Sequence, residues 1–344
     1  MVFNENCQND VVYWSMRDVA QPIAFRRRVL LLVLQLYKSL LASGRQIRSL
    51  SIQCLQNIND PDIVNSEDFK LLVSGLTSLR LWVVSECNDR DPELNILYKE
   101  LHQFALELPA VYLQPSAATL TSLVLYFSEK IGYFPQLKLR ALHFPRLRHL
   151  VLGNHAFSHD WQFDWIIEHA STLEQLFLDD CGIIYARNTS DQVNDEGYLD
   201  ANDFIKEWPE GMAHDEYPQR SRYFTYERRW HHIFDRFSRE LPNLRDFRFG
   251  DDNWDNLTMF ADCDLLSREL HNRMYLVFDM VDGWPFQHNP DRDSTENWQQ
   301  NGDDGVSDFA YPNCREEDSA SFDRLLARFG LHRYWQHAIR QEQR

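Results

Sequence analysis

The chain repeats one short hydrophobic pattern six times. Each copy spans six residues, with an aliphatic residue at its first position and apolar residues at its fourth and sixth positions. The copies begin at Ile47, Leu76, Leu120, Leu147, Leu173 and Leu244. Their starts lie 29, 44, 27, 26 and 71 positions apart. Three of these spacings are typical of leucine-rich repeats, and the two long ones indicate repeats that carry insertions. The alternation at the end of each copy predicts a strand with one buried face.

Segments with helical spacing lie between these strands. One begins at Asp91 and Pro92, which are favourable residues for a helix start, and has apolar residues three or four positions apart until Pro109. Further stripes run from Phe163 to Ala170 and from Trp230 to Phe237. We therefore expect an α/β fold, a leucine-rich-repeat solenoid with parallel strands on the concave face of a horseshoe and helices outside. The alternative is an ordinary α/β sheet with leucine-rich strands.

The same patterning divides the chain into three parts. Residues 1–45 predict an N-terminal helical cap, with a helix over about 23–42. Residues 46–282 carry the irregular repeats, with a long acidic insertion at about 185–222 and a last strand over Met274–Phe278. Residues 283–344 predict an acidic loop followed by a C-terminal helical cap, whose helix begins near Glu316.

Charge and cysteine content narrow the function classes. The formal net charge is −17, with a balance of +2 over residues 1–150 and −19 over the rest. This acidity excludes non-specific nucleic-acid binding, which needs basic side chains against phosphates, and it favours a basic partner for the C-terminal half. No two of the six cysteines lie within three residues of each other. With no secretory signal and no apolar run long enough for a bilayer, we expect a cytoplasmic or nuclear protein without membrane contact.

Several stretches resemble the repeat region of fungal F-box proteins with leucine-rich repeats. They include Ile47–Gln56, Leu142–Leu147, Leu173–Cys181 and Met274–Asp279. The resemblance covers about two thirds of the chain. It implies the substrate-recognition subunit of a cullin-type ubiquitin ligase, in which an F-box binds a Skp-type adaptor and the repeats hold the protein substrate.

The F-box itself has no counterpart in residues 1–45. An F-box opens with Leu-Pro and a Glu-bearing amphipathic helix, whereas the nearest proline here, Pro22, follows Gln21. Two hypotheses remain, a recognition module of the F-box type and a repeat scaffold that acts outside ubiquitin transfer. Adaptor binding is the point on which they differ.

The sequence offers little for catalysis, cofactors or metals. It lacks a nucleophile elbow, a dinucleotide fingerprint and a phosphate loop, so we expect no enzyme activity and no cofactor. His155 and His159 are better explained as residues of a polar turn, with Asp160 as a helix cap, than as metal ligands. His231 and His232 are adjacent and would point apart on a helix. Two acidic pairs, Asp179-Asp180 and Asp251-Asp252, are expected to be turn residues at the rim.

The predicted binding surface is the concave face of the strands. The residues between the buried aliphatics point into the horseshoe, and the partner-binding set chosen from them is Arg80, Trp82, Tyr126, Gln175, Phe177, Asp179 and Arg248. Aromatic residues and arginines are typical anchors of protein interfaces. The alternative is that another part of the chain, the acidic insertion or the C-terminal tail, covers them. A protein substrate is therefore the expected partner.

Overall fold

The fold is described from a computed structural model, which describes residues 20–84, 99–189, 193–199, 222–251, 263–281, 284–288 and 311–333. Its helices are α1 (Ala20–Ala42), α2 (Pro61–Val64), α3 (Glu67–Val73), α4 (Lys99–Leu108), α5 (Asp160–Ile167), α6 (Trp230–Glu240) and α7 (Arg315–Arg328). After α4 the chain continues as a π-helical turn, Pro109–Leu113, and a short 3-10 turn. Within the described residues, no helix is both long and apolar enough to span a membrane.

Six parallel strands form the larger sheet. They are β1 (Ser49–Gln56), β2 (Ser78–Val84), β3 (Ser122–Phe127), β4 (His149–Gly153), β6 (Gln175–Asp179) and β9 (Asp246–Gly250). Each strand pairs with the one that carries the next copy of the hydrophobic pattern, so spatial order follows chain order. The mixed α/β class and the parallel strands are thus confirmed.

The copies of the pattern align across this sheet. Leu50 pairs with Leu79, and the same row continues through Leu123, Leu150, Leu176 and Phe247. A row of backbone hydrogen bonds also joins the residues just before the strands. The N–H of Thr121 donates to the Thr77 oxygen at 2.8 Å, and the N–H of Arg148 donates to the Thr121 oxygen at 2.8 Å. The equivalent bonds continue to Glu174 and Arg245. One position of every copy therefore makes the same backbone contact with its neighbour.

A smaller sheet follows the turns at the ends of these strands. It contains β5 (Ala156–Phe157), β7 (Gly182–Thr189), β8 (Arg222–Thr225), β10 (Tyr275–Val281) and β11 (Trp284–His288). β5, β7 and β10 are parallel, whereas β8 and β11 are antiparallel edge strands. The turn residues Asn154 and Asp180 have φ values of 58° and 47°, in the left-handed region where Asn and Asp are the most tolerated non-glycine residues.

The aliphatic row of the larger sheet packs against the connecting helices. At the last repeat, Trp230 of α6 contacts Phe249 with ring centroids 4.7 Å apart, and Phe234 contacts Phe247 at 5.9 Å. Phe322 of α7 lies 5.2 Å from Phe234 and 6.0 Å from Phe247, so the C-terminal helix packs against both α6 and β9. These rings are fully buried and give the fold a continuous core beneath its helices.

Most predicted helices and strands are present, with several corrections. α1 begins at residue 20, α7 at residue 315 and the last repeat's helix at Trp230, each close to its predicted start. The predicted start of the segment at Asp91 lies outside the described residues. The sequence predicts the start of the acidic insertion at about residue 185, but strand β7 continues to Thr189. Strand β11 lies in the region after residue 283 for which the sequence predicts an acidic loop. The remaining acidic residues after 200 and those of 289–310 are outside the described residues.

Candidate functional site

The sheet face opposite the aliphatic row becomes more buried along the strands. Its first row, at the strand starts, consists of Ser49, Ser78, Ser122, His149, Gln175 and Asp246. These side chains are exposed or half-buried. The next row runs from the half-buried Ser51 and Arg80 to the buried Phe177 and Arg248, and the residues near the strand ends are buried throughout. We call the first row the strand-start strip.

Burial removes five residues of the predicted binding set from the surface. Tyr126 and Phe177 have no exposed area, Asp179 is 1% exposed, and Trp82 and Arg248 are 8% exposed. The expectation that these five are open to a partner is therefore wrong. The other two members, Arg80 and Gln175, are half-buried, and they are the predicted residues that a partner can still reach.

The segment Cys263–Leu270 lies against this face and accounts for part of the burial. Its Cys263 Sγ accepts a hydrogen bond from Arg80 of β2 at 3.3 Å, and its Leu266 oxygen accepts one from Arg248 of β9 at 3.4 Å. Gly250 leaves space for Ser267, since a Cβ there would lie 2.3 Å from the Ser267 hydroxyl. A segment of the chain thus covers part of this face, but it belongs to neither the acidic insertion nor the C-terminal tail, so coverage by one of those two stays a prediction. We call residues 263–270 the cover segment.

Buried polar groups beneath the cover segment are paired with one another. Tyr126 donates a hydrogen bond to Asp179 at 3.2 Å, and burial, together with the Asp179 charge, raises the pKa of Tyr126 well above its usual value. The Arg248 guanidinium lies 4.7 Å from the Phe177 ring centroid and forms ion pairs with Asp246 and Asp264. This arrangement is that of a packed interior, and it keeps the tyrosine neutral.

The strand-start strip has a different chemistry. Ser122 Oγ lies 3.2 Å from Nδ1 of His149, and the His149 ring packs edge-on against Phe177 at 5.1 Å. Burial lowers the pKa of His149, so the ring is neutral at physiological pH. Asp246 closes the strip with ion pairs to Arg248 and Arg268. The strip therefore offers short hydroxyls, one amide and a neutral imidazole, which are hydrogen-bonding groups suited to a polypeptide.

The turns at the strand ends contain the backbone-binding side chains that the repeat pattern predicts. Cys181 Sγ lies 3.4 Å from the Leu152 oxygen of the preceding strand, as expected from its position in the repeat. One turn earlier, the amide of Asn154 donates to the oxygens of Phe127 and Ser128 at 3.1 Å each. Cys181 is the eighth residue after Leu173, a position at which leucine-rich repeats carry Asn or Cys, whereas Asn154 is the seventh residue after Leu147. The turn at Asn154 is therefore one residue shorter.

Acidic residues at the same turns are held in an ionic network. Lys130 Nζ lies 2.8 Å from Asp180, while Arg273 binds both Asp180, at 3.2 Å, and Asp251. His271 lies beside the two carboxylates, and burial lowers its pKa to about 4. Because each carboxylate already has a cationic partner, this group is better suited to fixing the turns than to hydrolysis or to metal binding. This ionic network is consistent with the expected role of Asp180 and Asp251 as turn residues. Asp252 lies outside the described residues.

His155 and His159 contact different groups and do not point toward a common position. His155 hydrogen-bonds through Nε2 with Gln162 at 3.2 Å, whereas His159 stacks on Tyr198 with centroids 4.4 Å apart. The helix cap is also one residue earlier than expected. His159 occupies the cap position of α5, its backbone N–H donates to Gln162 at 3.0 Å, and Asp160 instead pairs with Arg228 at 2.8 Å.

A group that the sequence did not reveal joins the starts of α6 and α7. His231, Cys314 and Asp318 bring a ring nitrogen, a sulfur and a carboxylate oxygen within 4.8 Å of one another. Cys314 and Asp318 have the i, i+4 spacing of one helix face, which could have been noticed in the sequence. His231 lies more than 80 residues earlier, and only the packing of α7 on α6 places it beside them.

Comparison with known proteins gives no relative. No protein-family description fits the chain, and neither a curated protein nor a solved structure matches it.

Proposed function

We propose that the chain is a non-catalytic protein-recognition module built as an irregular leucine-rich-repeat solenoid, similar to the substrate-binding part of an F-box protein. The observation that carries this proposal is the in-register row from Leu50 to Phe247, with one strand per repeat and neighbours in chain order. Stacked repeats of this kind bury a common core and present an extended face to a partner.

The strand-start strip is the proposed binding surface. It crosses all six strands of the larger sheet, and each of its side chains is exposed or half-buried. Two residues of the predicted binding set remain part of this proposal, because Gln175 belongs to the strip and Arg80 lies in the next row. A protein segment lying across the strip would find hydroxyl, amide and imidazole partners without displacing the cover segment. Beneath the cover segment, the aromatic residues then hold the strands in place for binding.

Bulky substitutions on the strip test this surface. A variant with Ser78→Arg and Gln175→Arg adds two positive charges and two long side chains to the strip. The matched control, Gln103→Arg with Ser171→Arg, makes the same charge change at exposed positions on the helical side. Proteins captured by the unmodified chain should be lost from the strip variant and retained by the control. Equal capture by both variants would reject the strip as the binding surface.

Adaptor binding distinguishes the two forms of the proposal. The resemblance favours a ubiquitin-ligase subunit, and the alternative is a leucine-rich-repeat scaffold that acts outside ubiquitin transfer. The purified chain is mixed with a Skp-type adaptor and run on a sizing column. Co-elution supports the ligase subunit, and separate elution supports the scaffold.

A reducing compartment fits this function. Among the described residues, the cysteines at 54, 181, 263 and 314 are buried and are not joined in disulfide bonds. Free thiols are usual in proteins of the cytoplasm and nucleus, where a ligase subunit or a scaffold would act.

A further inference from the structure

The junction between α6 and α7 has the ligand set of a zinc site. Asp318 is fully buried, Cys314 is 9% exposed, and the His231 side chain is 20% exposed. His231 Nδ1 lies 2.9 Å from Asp318 Oδ1, and Cys314 Sγ lies 3.4 Å from Asp318 Oδ2. Thiolate, imidazole and carboxylate are the three side-chain types that bind zinc in proteins.

We propose that His231, Cys314 and Asp318 bind one zinc ion, which fastens the start of α7 to the start of α6. The edges of a zinc tetrahedron with these ligands are about 3.3–3.6 Å, given Zn–S near 2.3 Å and Zn–N near 2.0 Å. The three ligand atoms already lie within 4.8 Å of one another, so small side-chain rotations suffice. His231 is the most exposed of the three side chains, so water could reach the fourth position from its side.

The surrounding hydrogen bonds would support the ion. The Tyr275 hydroxyl donates to Asp318 Oδ2 at 2.8 Å, and the backbone N–H of His231 donates to Oδ1 at 2.8 Å. Partners of this kind orient the ligating carboxylate and are typical of metal sites. Burial, together with the Asp318 carboxylate, raises the pKa of Cys314 to about 11, so zinc would have to displace the thiol proton on binding.

The protons balance in a simple way. On binding, the Cys314 thiol gives its proton to solvent and the sulfur binds zinc as the thiolate. Where the His231 proton is on Nδ1, it moves to Nε2, so that Nδ1 becomes a ligand while the ring stays neutral. The Asp318 carboxylate exchanges its contact with the imidazole N–H for a bond to the metal. One proton is therefore released for each zinc ion bound.

The donor set also selects the metal. Magnesium and calcium require oxygen ligands and would leave the sulfur and nitrogen without a role. A thiolate with an imidazole favours zinc among the common cellular ions. The geometry gives the ion a structural role, because its ligands join the last repeat's helix to the helix that covers it.

Metal analysis of the full chain tests the proposal. After incubation with zinc chloride and exhaustive dialysis, the unmodified chain should retain about one zinc per chain. Cys314→Ser keeps a hydrogen-bonding group beside Tyr275 but removes the thiolate, and its zinc content should fall to background. The control Cys263→Ser alters another buried cysteine, outside the site, and should retain zinc. Retention by Cys314→Ser, or no zinc in the unmodified chain, would overturn the proposal.

Cobalt substitution gives a second readout that does not depend on a folded variant. Cobalt(II) bound to this site in the unmodified chain should show a thiolate-to-cobalt charge-transfer band together with the visible bands of tetrahedral cobalt. A spectrum without the thiolate band would exclude Cys314 as a ligand and contradict the site.

Discussion

At the scale of single residues, His169 shows how packing fixes a protonation state. Its Nδ1 lies 2.8 Å from the Trp165 oxygen, and its Nε2 accepts the Phe144 backbone N–H at 3.1 Å. The ring is therefore neutral with its proton on Nδ1. A second proton on Nε2 would face the N–H of Phe144. Burial accordingly lowers the pKa of His169 from 6.5 to about 4.

This lowered pKa predicts acid sensitivity. Because the unfolded chain takes up the His169 proton at a higher pH than the folded chain, the free energy of unfolding should fall as pH drops from 6.5 to about 4. One such proton contributes a slope of about 1.4 kcal/mol per pH unit. Urea unfolding across this range should show a smaller slope for His169→Gln than for the unmodified chain. The exposed His332→Gln serves as control, and an unchanged slope in His169→Gln would refute the assignment.

Asn154 is a second residue whose role is confined to one turn. Its amide binds two backbone oxygens of the preceding repeat, and its φ of 58° is tolerated by asparagine and glycine better than by alanine.

Two substitutions at Asn154 separate these effects. Asn154→Gly removes the side-chain hydrogen bonds but keeps the backbone conformation, and we expect a loss of about 1–3 kcal/mol because buried carbonyls lose their partner. Asn154→Ala should lose about 1 kcal/mol more, since alanine is strained at positive φ. Urea unfolding measures both. If alanine were as stable as glycine here, the left-handed turn would be disproved.

At the scale of elements, the sequence predicts the six strands of the larger sheet well because each contains a complete copy of the hydrophobic pattern. Leu79 and Leu81 lie on one face of β2 for the same reason that Leu150 and Leu152 lie on one face of β4. The smaller sheet was not predicted, apart from the strand at Met274–Phe278. Short segments such as Ala156–Phe157 become strands only because they follow a left-handed turn and pair with a neighbouring repeat.

The predicted binding set shows what the hydrophobic pattern of the sequence cannot predict. The pattern correctly separates Trp82, Tyr126 and Phe177 from the aliphatic row, but it cannot tell whether that second face meets solvent or another segment. The cover segment lies more than 130 residues from Tyr126, so its contact is a tertiary one that no local spacing records. Arg80 and Gln175 remain accessible because they are nearer the strand starts.

Arg248 should hold the cover segment in place. Arg248→Met retains an unbranched side chain near Phe177 but removes the bonds to Asp264 and Leu266. We expect faster amide hydrogen exchange in residues 263–270, with little change in the aliphatic row of β1–β3, because local opening involves only the weakened contacts. Arg245→Met, an exposed change just before β9, is the control. Unchanged exchange in the cover segment would show that Arg248 does not retain it.

At the scale of the whole molecule, the proposed repeat organisation predicts that the parts of the chain unfold with unequal cooperativity. In a linear array each repeat contacts only its neighbours, so the first strand can open while the centre remains folded. Leu50 and Leu150 occupy the same row, at the edge and near the middle of the larger sheet.

Matched truncations test this organisation. Leu150→Ala should lower the global free energy of unfolding by about 2–5 kcal/mol, because it leaves a cavity in the central core. Leu50→Ala should mainly accelerate amide exchange in β1 and leave exchange in β6 unchanged. Equal effects of both changes on every strand would indicate one cooperative globule rather than a repeat array.

Site-specific photo-crosslinking tests most directly whether the strand-start strip is a protein-binding surface. A photoreactive phenylalanine analogue is placed at Gln175 on the strip or at the exposed Gln103 on α4, and both proteins are irradiated in cells. We predict a covalent adduct with a partner protein from position 175 and none from position 103. No adduct at 175, or equal adducts at both positions, would contradict the proposed recognition surface.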